Sequence, residues 1–176
     1  SQVVISANAN ISTQALKFLL RVNVEIIYKS SWGRFEGKFV PEENKNSLLR
    51  LAQYKSHLDE AFALKVSKAF VTGKLSNMRT LLLRQNREIG DGGVEKACSG
   101  IKHFLDRVVE AREIDELLVL EGIGTREYFS VFGRLIKSKT FRFDFEKRTS
   151  RPPRDPVNAL LSFGYSLLVG DMVSAP

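Results

Sequence analysis

The sequence predicts an α+β fold that is predominantly α-helical, and three observations carry that expectation. Residues 1–40 hold β-branched segments around one short helical stretch. A polar break, Pro41–Ser47 (PEENKNS), follows them. Beyond it apolar residues recur at helical spacing, with almost no strand signal up to the last residue. The expected organisation is therefore a small β-containing unit over 1–40, a linker over 41–47 and a helical domain over 48–176. At 176 residues, 43% hydrophobic and 27% charged, the chain suits one ordinary domain or one and a half, and its composition is globular.

The first unit opens on QVVIS, which is strand-like. Ser12 or Thr13 can cap a short helix carrying Ala15, Leu16, Leu19 and Leu20. VNVEIIY is a β-branched strand, Lys29–Gly33 a turn, and RFEGKFV a partner strand that ends at Pro41. A sheet of so few strands is marginal alone. Because the first one begins almost at residue 1 without an initiator Met, the expectation is that material upstream of it is missing.

The segment Leu58–Glu88 is the longest periodic run. Leu64, Val71, Leu75, Met78 and Leu82 line one side, and Phe62, Val66, Phe70 and Leu81 form a looser second stripe. A helix apolar on two sides is expected at the centre of its domain. Lys65, Lys68, Arg79 and Arg87 fall within an arc of about 100°. This arc is either a solvated basic face or a place for a nucleic-acid backbone. Arg84 is a further candidate that points elsewhere.

Glycines in IGDGGVEK end that helix. A second is expected from Val94 to about Arg112, and a third from Ile114 to Ile136. SKTFRFDFEKRTSRPPR is a basic, proline-containing loop. Asp155 and Pro156 start the last helix, an acidic cap followed by proline at the first helical position. Leu160, Phe163, Leu167 and Leu168 make its apolar side. Asn158, Ser162 and Tyr165 make a polar side without charge, which suits lining a site better than facing water.

The formal net charge is +7, a balance that favours polyanionic partners. No run approaches the roughly 18 apolar residues of a membrane span. The first residues lack the basic start and apolar core of a signal peptide. Cys98 is the single cysteine, so no internal disulfide can form, and a reducing, intracellular setting is expected.

Chemistry-bearing motifs are few. His57 and His103 have no second ligand at zinc spacing, and the five-residue step from Cys98 to His103 does not face a nucleophile toward a base. GDGG and EGIG lack phosphate-loop spacing and the lysine that would follow. What remains is one misplaced acid. Ile114, Leu118, Glu121, Thr125, Tyr128 and Phe132 share a helical stripe, and a carboxylate in such a seam must be neutral, paired or cation-bound. Either Glu121 meets a base such as Arg126, or it holds a hard divalent ion near a phosphate. Gly122 and Gly124 beside it favour close approach by a backbone or a ligand.

LEGIGTREYFSVF and RDPVNALLSFGYSLL together resemble the paired motifs of the CRISPR-associated integrases of spacer acquisition. The stretch LLRLAQYKSHLDEAFALKVSKAFVTGKLSNMRTLLLR is similar to the long helix of that family, and ISTQALKFLLRVNVEIIYKSSWGRFEGKFVP to the end of its β-rich N-terminal domain. The resemblance implies a remnant of a β-rich N-terminal domain followed by an all-helical catalytic domain. It implies a homodimeric, metal-dependent DNA endonuclease and integrase that uses Mg²⁺ or Mn²⁺. The enzyme works with a second small Cas subunit on double-stranded or branched DNA, in the prokaryotic cytoplasm.

Carried over by position, Glu121 corresponds to the first of three metal ligands. Tyr128 matches the aromatic of its motif, and Asn158, Ser162 and Tyr165 lie in the block that flanks the site. Lys65, Lys68, Arg79, Arg84 and Arg87 are the DNA-contact candidates. The family's remaining ligands, a histidine and an aspartate, follow the NALLSFGYSLL block, and neither His57 nor His103 matches them. The expectation is of a partial chain, with little nuclease activity by itself. The competing expectation is a helical DNA-binding or scaffold protein in which Glu121 only forms a salt bridge.

Overall fold

A computed structural model describes residues 2–6, 9–31, 33–42, 47–138 and 143–174. Most of the expected 41–47 linker and the start of the basic loop lie outside the described residues. The chain divides into two compact units, residues 1–46 with 150–176 and residues 47–149. The helical domain expected over 48–176 is thus divided, its last helix grouping with the sheet.

In the first unit β1 (Gln2–Ser6), α1 (Thr13–Arg21), β2 (Glu25–Lys29) and β3 (Phe35–Phe39) build a three-stranded sheet in the order β1-β2-β3. β1 runs parallel to β2, with Val4 opposite Ile27, and β3 runs antiparallel to it, with Phe39 opposite Ile26. The β-branched pair Ile26 and Ile27 is fully buried on the central strand, where such side chains pack best. Ser12 is the residue that caps α1, its hydroxyl accepting from the Ala15 amide at 3.2 Å. The β2–β3 turn closes on Gly33 at φ +77°, a conformation open to glycine.

α6 (Pro156–Ser174) completes this unit. Asp155 caps it as expected, accepting from the Asn158 amide at 2.8 Å. The Lys29 ammonium, buried on β2, donates to the Ser166 carbonyl at 2.7 Å. The apolar side of α6 turns outward, with Leu160, Phe163, Leu167 and Leu168 all exposed, whereas Asn158 is fully buried. Of the polar side Asn158 is covered, whereas Tyr165 is exposed.

In the second unit α2 (Ser47–Leu58) precedes α3 (Glu60–Ile89), α4 (Gly92–Glu110), α5 (Ile114–Phe132) and a 3-10 turn, Gly133–Leu135. Asp59 separates α2 from α3 and caps the latter, accepting from the Phe62 amide at 3.0 Å. α3, α4 and α5 pack pairwise around Leu75, Leu82, Val94, Ala97, Ile101, Val108, Leu117 and Leu120. Each Leu, Ile or Val among them, withdrawn from water, stabilises the unit by about 1.5–3 kcal/mol.

Helix ends obey local chemistry. Gly90 at φ +65° stops α3 in the left-handed conformation, and Asp91 starts α4 two residues before the expected Val94, accepting from the Gly93 and Val94 amides. α5 ends at Phe132, where Gly133 admits the Phe145 carbonyl; a Cβ there would lie 2.6 Å from that oxygen. Tyr128, Phe129, Phe132 and Phe145 form one edge-on aromatic cluster that fastens this strand-free segment to α5.

Two expected stripes are displaced. On α3 Leu75 and Leu82 are buried as expected, but Phe62 and Phe70 of the second stripe are exposed, so the helix has one packed side. On α5 Leu118 is 61% exposed and Ile114 is exposed too. The buried line runs instead through Leu117, Leu120, Gly124, Tyr128 and Val131. Glu121 lies about 60° off its centre, at the rim of the seam and not in its middle.

Candidate active site at the crossing of α3 and α5

Gly124 is the centre of the α5 line, and an added Cβ would meet the Leu75 side chain at 2.6 Å. The absent side chain lets α5 close on α3 at this level, and the approach fixes what lies on the rim. There the Lys74 ammonium forms an ion pair with Glu121 Oε1. The Thr125 hydroxyl donates to the same oxygen at 3.1 Å, one helical turn on. The pair is half-buried, with Lys74 38% and Glu121 28% exposed.

The carboxylate is thus paired, and with Lys74 rather than the expected Arg126. Lys74 is a residue of this crossing that the sequence reading does not single out. The signal that could find it is that, with Leu75 facing α5, residue 74 flanks the same crossing. Oε2 of Glu121 accepts no hydrogen bond among the described residues. The arrangement places an ammonium and a hydroxyl on one oxygen of a part-exposed carboxylate.

Among the described residues no three His, Cys, Asp or Glu side chains converge as a metal cluster. A single carboxylate with an ammonium on it does not make a divalent-metal site, so the residues present do not by themselves fit the implied Mg²⁺ or Mn²⁺.

Tyr128 is buried behind the rim, its ring 5.1 Å from Phe129 and 5.5 Å from Phe132. In that position it braces α5 from inside. Asn158, Ser162 and Tyr165 belong to the other compact unit. The Asn158 side chain donates to Asp155, closing the first turn of α6, and the Ser162 carbonyl accepts from the Ser166 hydroxyl at 2.9 Å. Tyr165 is exposed on the same helix.

The basic candidates of α3 separate into two kinds of residue. Lys68 donates to the Val109 carbonyl at 2.8 Å and Arg79 to the Cys98 carbonyl at 3.1 Å, so both hold α4. Lys65, Arg84 and Arg87 are exposed. Position explains the division, because Lys68 and Arg79 lie on the edge of the arc nearest buried Leu75 and Leu82. Cys98 is buried, and that burial pushes its thiol above the usual range, with Arg79 opposing and Glu95 adding to the shift. It is a packing residue.

No described helix is long and apolar enough to cross a membrane.

Comparison with known proteins follows the same lines. A family model described as CRISPR associated protein Cas1 matches residues 1–175. A Cas4 exonuclease/Cas1 endonuclease fusion of Geobacter sulfurreducens is 35% identical over 99% of this chain, which spans 32% of that relative's length. The solved structure of a Cas1 protein from Thermotoga maritima superposes at a TM-score of 0.72 with 26% identity, covering 95% of this chain and 51% of that one. A Cas6-RT-Cas1–Cas2 complex superposes at 0.76 with 28% identity, over 95% of this chain and 18% of its counterpart.

Proposed function

This chain belongs to the Cas1 family of CRISPR-associated proteins, and from that premise we propose that it is part of a metal-dependent DNA endonuclease and integrase inserting foreign DNA fragments into CRISPR arrays. The observation that carries the reading is the part-exposed Glu121 carboxylate anchored where α3 crosses α5. The relatives' names supply the class of reaction, and the matched Cas1–Cas2 assembly supports a second small Cas subunit as partner. DNA, a homodimeric state and a prokaryotic cytoplasmic setting belong to the same proposal.

Mg²⁺ or Mn²⁺ would supply charge stabilisation at a phosphate under attack. Glu121 is the one carboxylate of the crossing that could face it. Lys65, Arg84 and Arg87 are suited to hold the DNA backbone without reading its sequence. In the proposal Asn158, Ser162 and Tyr165 keep the site-lining role that their motif implies, and Tyr128 steadies α5 beneath Glu121. Lys68 and Arg79, the remaining basic candidates, would reach DNA only by releasing α4.

A second reading draws on the Lys74 pair, which satisfies Glu121 without any metal. In that reading the chain is a non-catalytic helical DNA-binding or scaffold protein.

The deciding experiment is Glu121→Gln in the assembly with the second Cas subunit, assayed for Mn²⁺-dependent joining of a DNA fragment to a CRISPR-array duplex. Loss of joining with DNA binding retained supports the enzyme. Joining at the wild-type rate leaves the scaffold reading.

A further inference from the structure

α2 is the one long helix of the second unit that contributes nothing to its core, and none of its residues is buried. Its charge is one-sided. Arg50, Lys55 and His57 stand in it, and no Asp or Glu does. An exposed helix that carries bases and no acid suits a polyanionic partner.

Tyr54 lies in the middle of this helix and is 70% exposed. Elsewhere tyrosine rings are used for packing: Tyr28 rests edge-on against Phe39 at 6.0 Å, and Tyr128 against Phe129 at 5.1 Å. Tyr54 meets no other ring among the described residues. Its neighbours on the helix surface are the residues three and four positions away. Leu51 and Leu58 flank it within about 60° on one side, and Arg50 and His57 within about 60° on the other. All four are exposed. One open face of α2 thus carries an apolar floor, an aromatic ring and a hydrogen-bonding cationic edge. That combination fits a nucleotide, whose base is flat and apolar and whose phosphate is anionic. A base inside a duplex offers only its edges, so the ring can meet a base face only where stacking has been lost.

We infer that α2 is a stacking platform for an unpaired DNA base, with Tyr54 as its floor. Leu51 and Leu58 widen that floor, and Arg50 and His57 meet the adjoining phosphate. The inference rests on the proposal that the chain binds DNA, and it adds a contact to a base where the α3 candidates hold only the backbone. The contact tolerates any sequence, because every base has a π-face. Tyr54 serves binding in this scheme and takes no part in the joining chemistry.

The test measures affinity by fluorescence anisotropy on two labelled DNAs. One is a blunt duplex of about 20 base pairs, and the other is the same duplex with a single-stranded extension of about five thymidines, within the span such sites cover. The wild-type chain should bind the extended DNA more tightly. Tyr54→Ala should weaken that binding about ten-fold while changing the blunt duplex by less than about two-fold. Tyr54→Phe, which keeps the ring, should retain the preference, and Tyr54→Leu, which keeps only apolar bulk, should lose it. Arg50→Gln should lower the slope of log K against log salt by about 1, whereas Tyr54→Ala should leave it unchanged, since the ring neutralises no phosphate. Equal binding of both DNAs by wild type, or a Tyr54→Ala chain that keeps the preference, overturns the platform and leaves the DNA reading standing. So does a Tyr54→Leu chain that binds as well as Tyr54→Phe. If wild type binds neither DNA, the DNA reading falls and takes this inference with it. Should Tyr54→Ala fail to fold by circular dichroism, the Phe and Leu variants carry the comparison.

Discussion

Gly124 and Leu75 occupy one position between them: the space a Cβ on Gly124 would fill is 2.6 Å from the Leu75 side chain. Gly122, two residues back on the same helix, meets nothing within 4 Å. The two glycines of EGIG therefore have opposite physical meanings. One is required by helix contact, and the other faces outward.

The first prediction uses that contrast. Gly124→Ala inserts a methyl group into a closed crossing and should destabilise the chain by about 1–3 kcal/mol. Gly122→Ala gains helix propensity without a clash and should stabilise it by up to about 1 kcal/mol. Urea unfolding of both variants checks the signs. Equal effects would mean that α5 does not close on α3 through Gly124.

Much of the fold is legible in the sequence because its signals are local. The Asp155–Pro156 helix start, the Gly90 stop and the β-branched central strand each follow from the chemistry of adjacent residues. The α5 seam is harder to read. Its central residue is Gly124, which has no hydrophobicity to count, so Leu118 and Ile114 draw the expected stripe away from the buried line. Glu121 is conspicuous for a reason that shifts: it sits at the rim of a seam and not inside one. Lys74 is invisible to periodicity because its partner is far away in sequence and only the crossing joins them. The outward turn of the apolar side of α6 has the same cause, since amphipathicity shows that a helix has two faces and not which one is covered.

Asp91 links the start of α4 to the turn after α5. Its carboxylate accepts from the Val94 amide at 3.0 Å, from Arg134 at 2.7 Å and from the Gly93 amide at 2.7 Å. The Val94 amide and then the Arg134 side chain hold it below its ordinary pKa of 3.8. The folded-state pKa is thus lower than the unfolded one. The associated stability is present above the unfolded value and is lost as pH falls through the folded one. Asp91→Asn should therefore melt below wild type at pH 7, and the gap should close as pH falls from about 4 toward the lower folded value. Melting temperatures of both proteins across pH 2–7 provide the check. A gap that persists undiminished at the acid end would show that charge on Asp91 contributes nothing.

Cys98 combines burial with a thiol pushed up from its usual range by that burial. The thiolate is the reactive form, so both factors slow attack on a disulfide reagent. Modification at pH 7.5 should be slower than in the unfolded chain by at least about a hundred-fold, limited by opening of the α3–α4 contact. Absorbance of the released thiolate from an aromatic disulfide reagent follows it. Labelling at the unfolded rate would place Cys98 at the surface.

The basic candidates of α3 make the last prediction, because they have distinct neighbours. Lys68 and Arg79 bond α4 carbonyls, whereas Lys65, Arg84 and Arg87 are exposed. If the exposed three contact phosphate, replacing each by Gln should weaken DNA binding about equally on any sequence. Each replacement should also lower the slope of log K against log salt by about 1, since each phosphate contact releases roughly one counterion. Lys68→Met and Arg79→Met should act on the fold first, costing about 0.5–1.5 kcal/mol for a lost hydrogen bond. Their salt slopes should stay at the wild-type value. Fluorescence anisotropy on labelled duplex at several salt concentrations, alongside urea unfolding, separates the two groups. A reduced salt slope in Arg79→Met with unchanged stability would show instead that this arginine leaves Cys98 to meet the DNA.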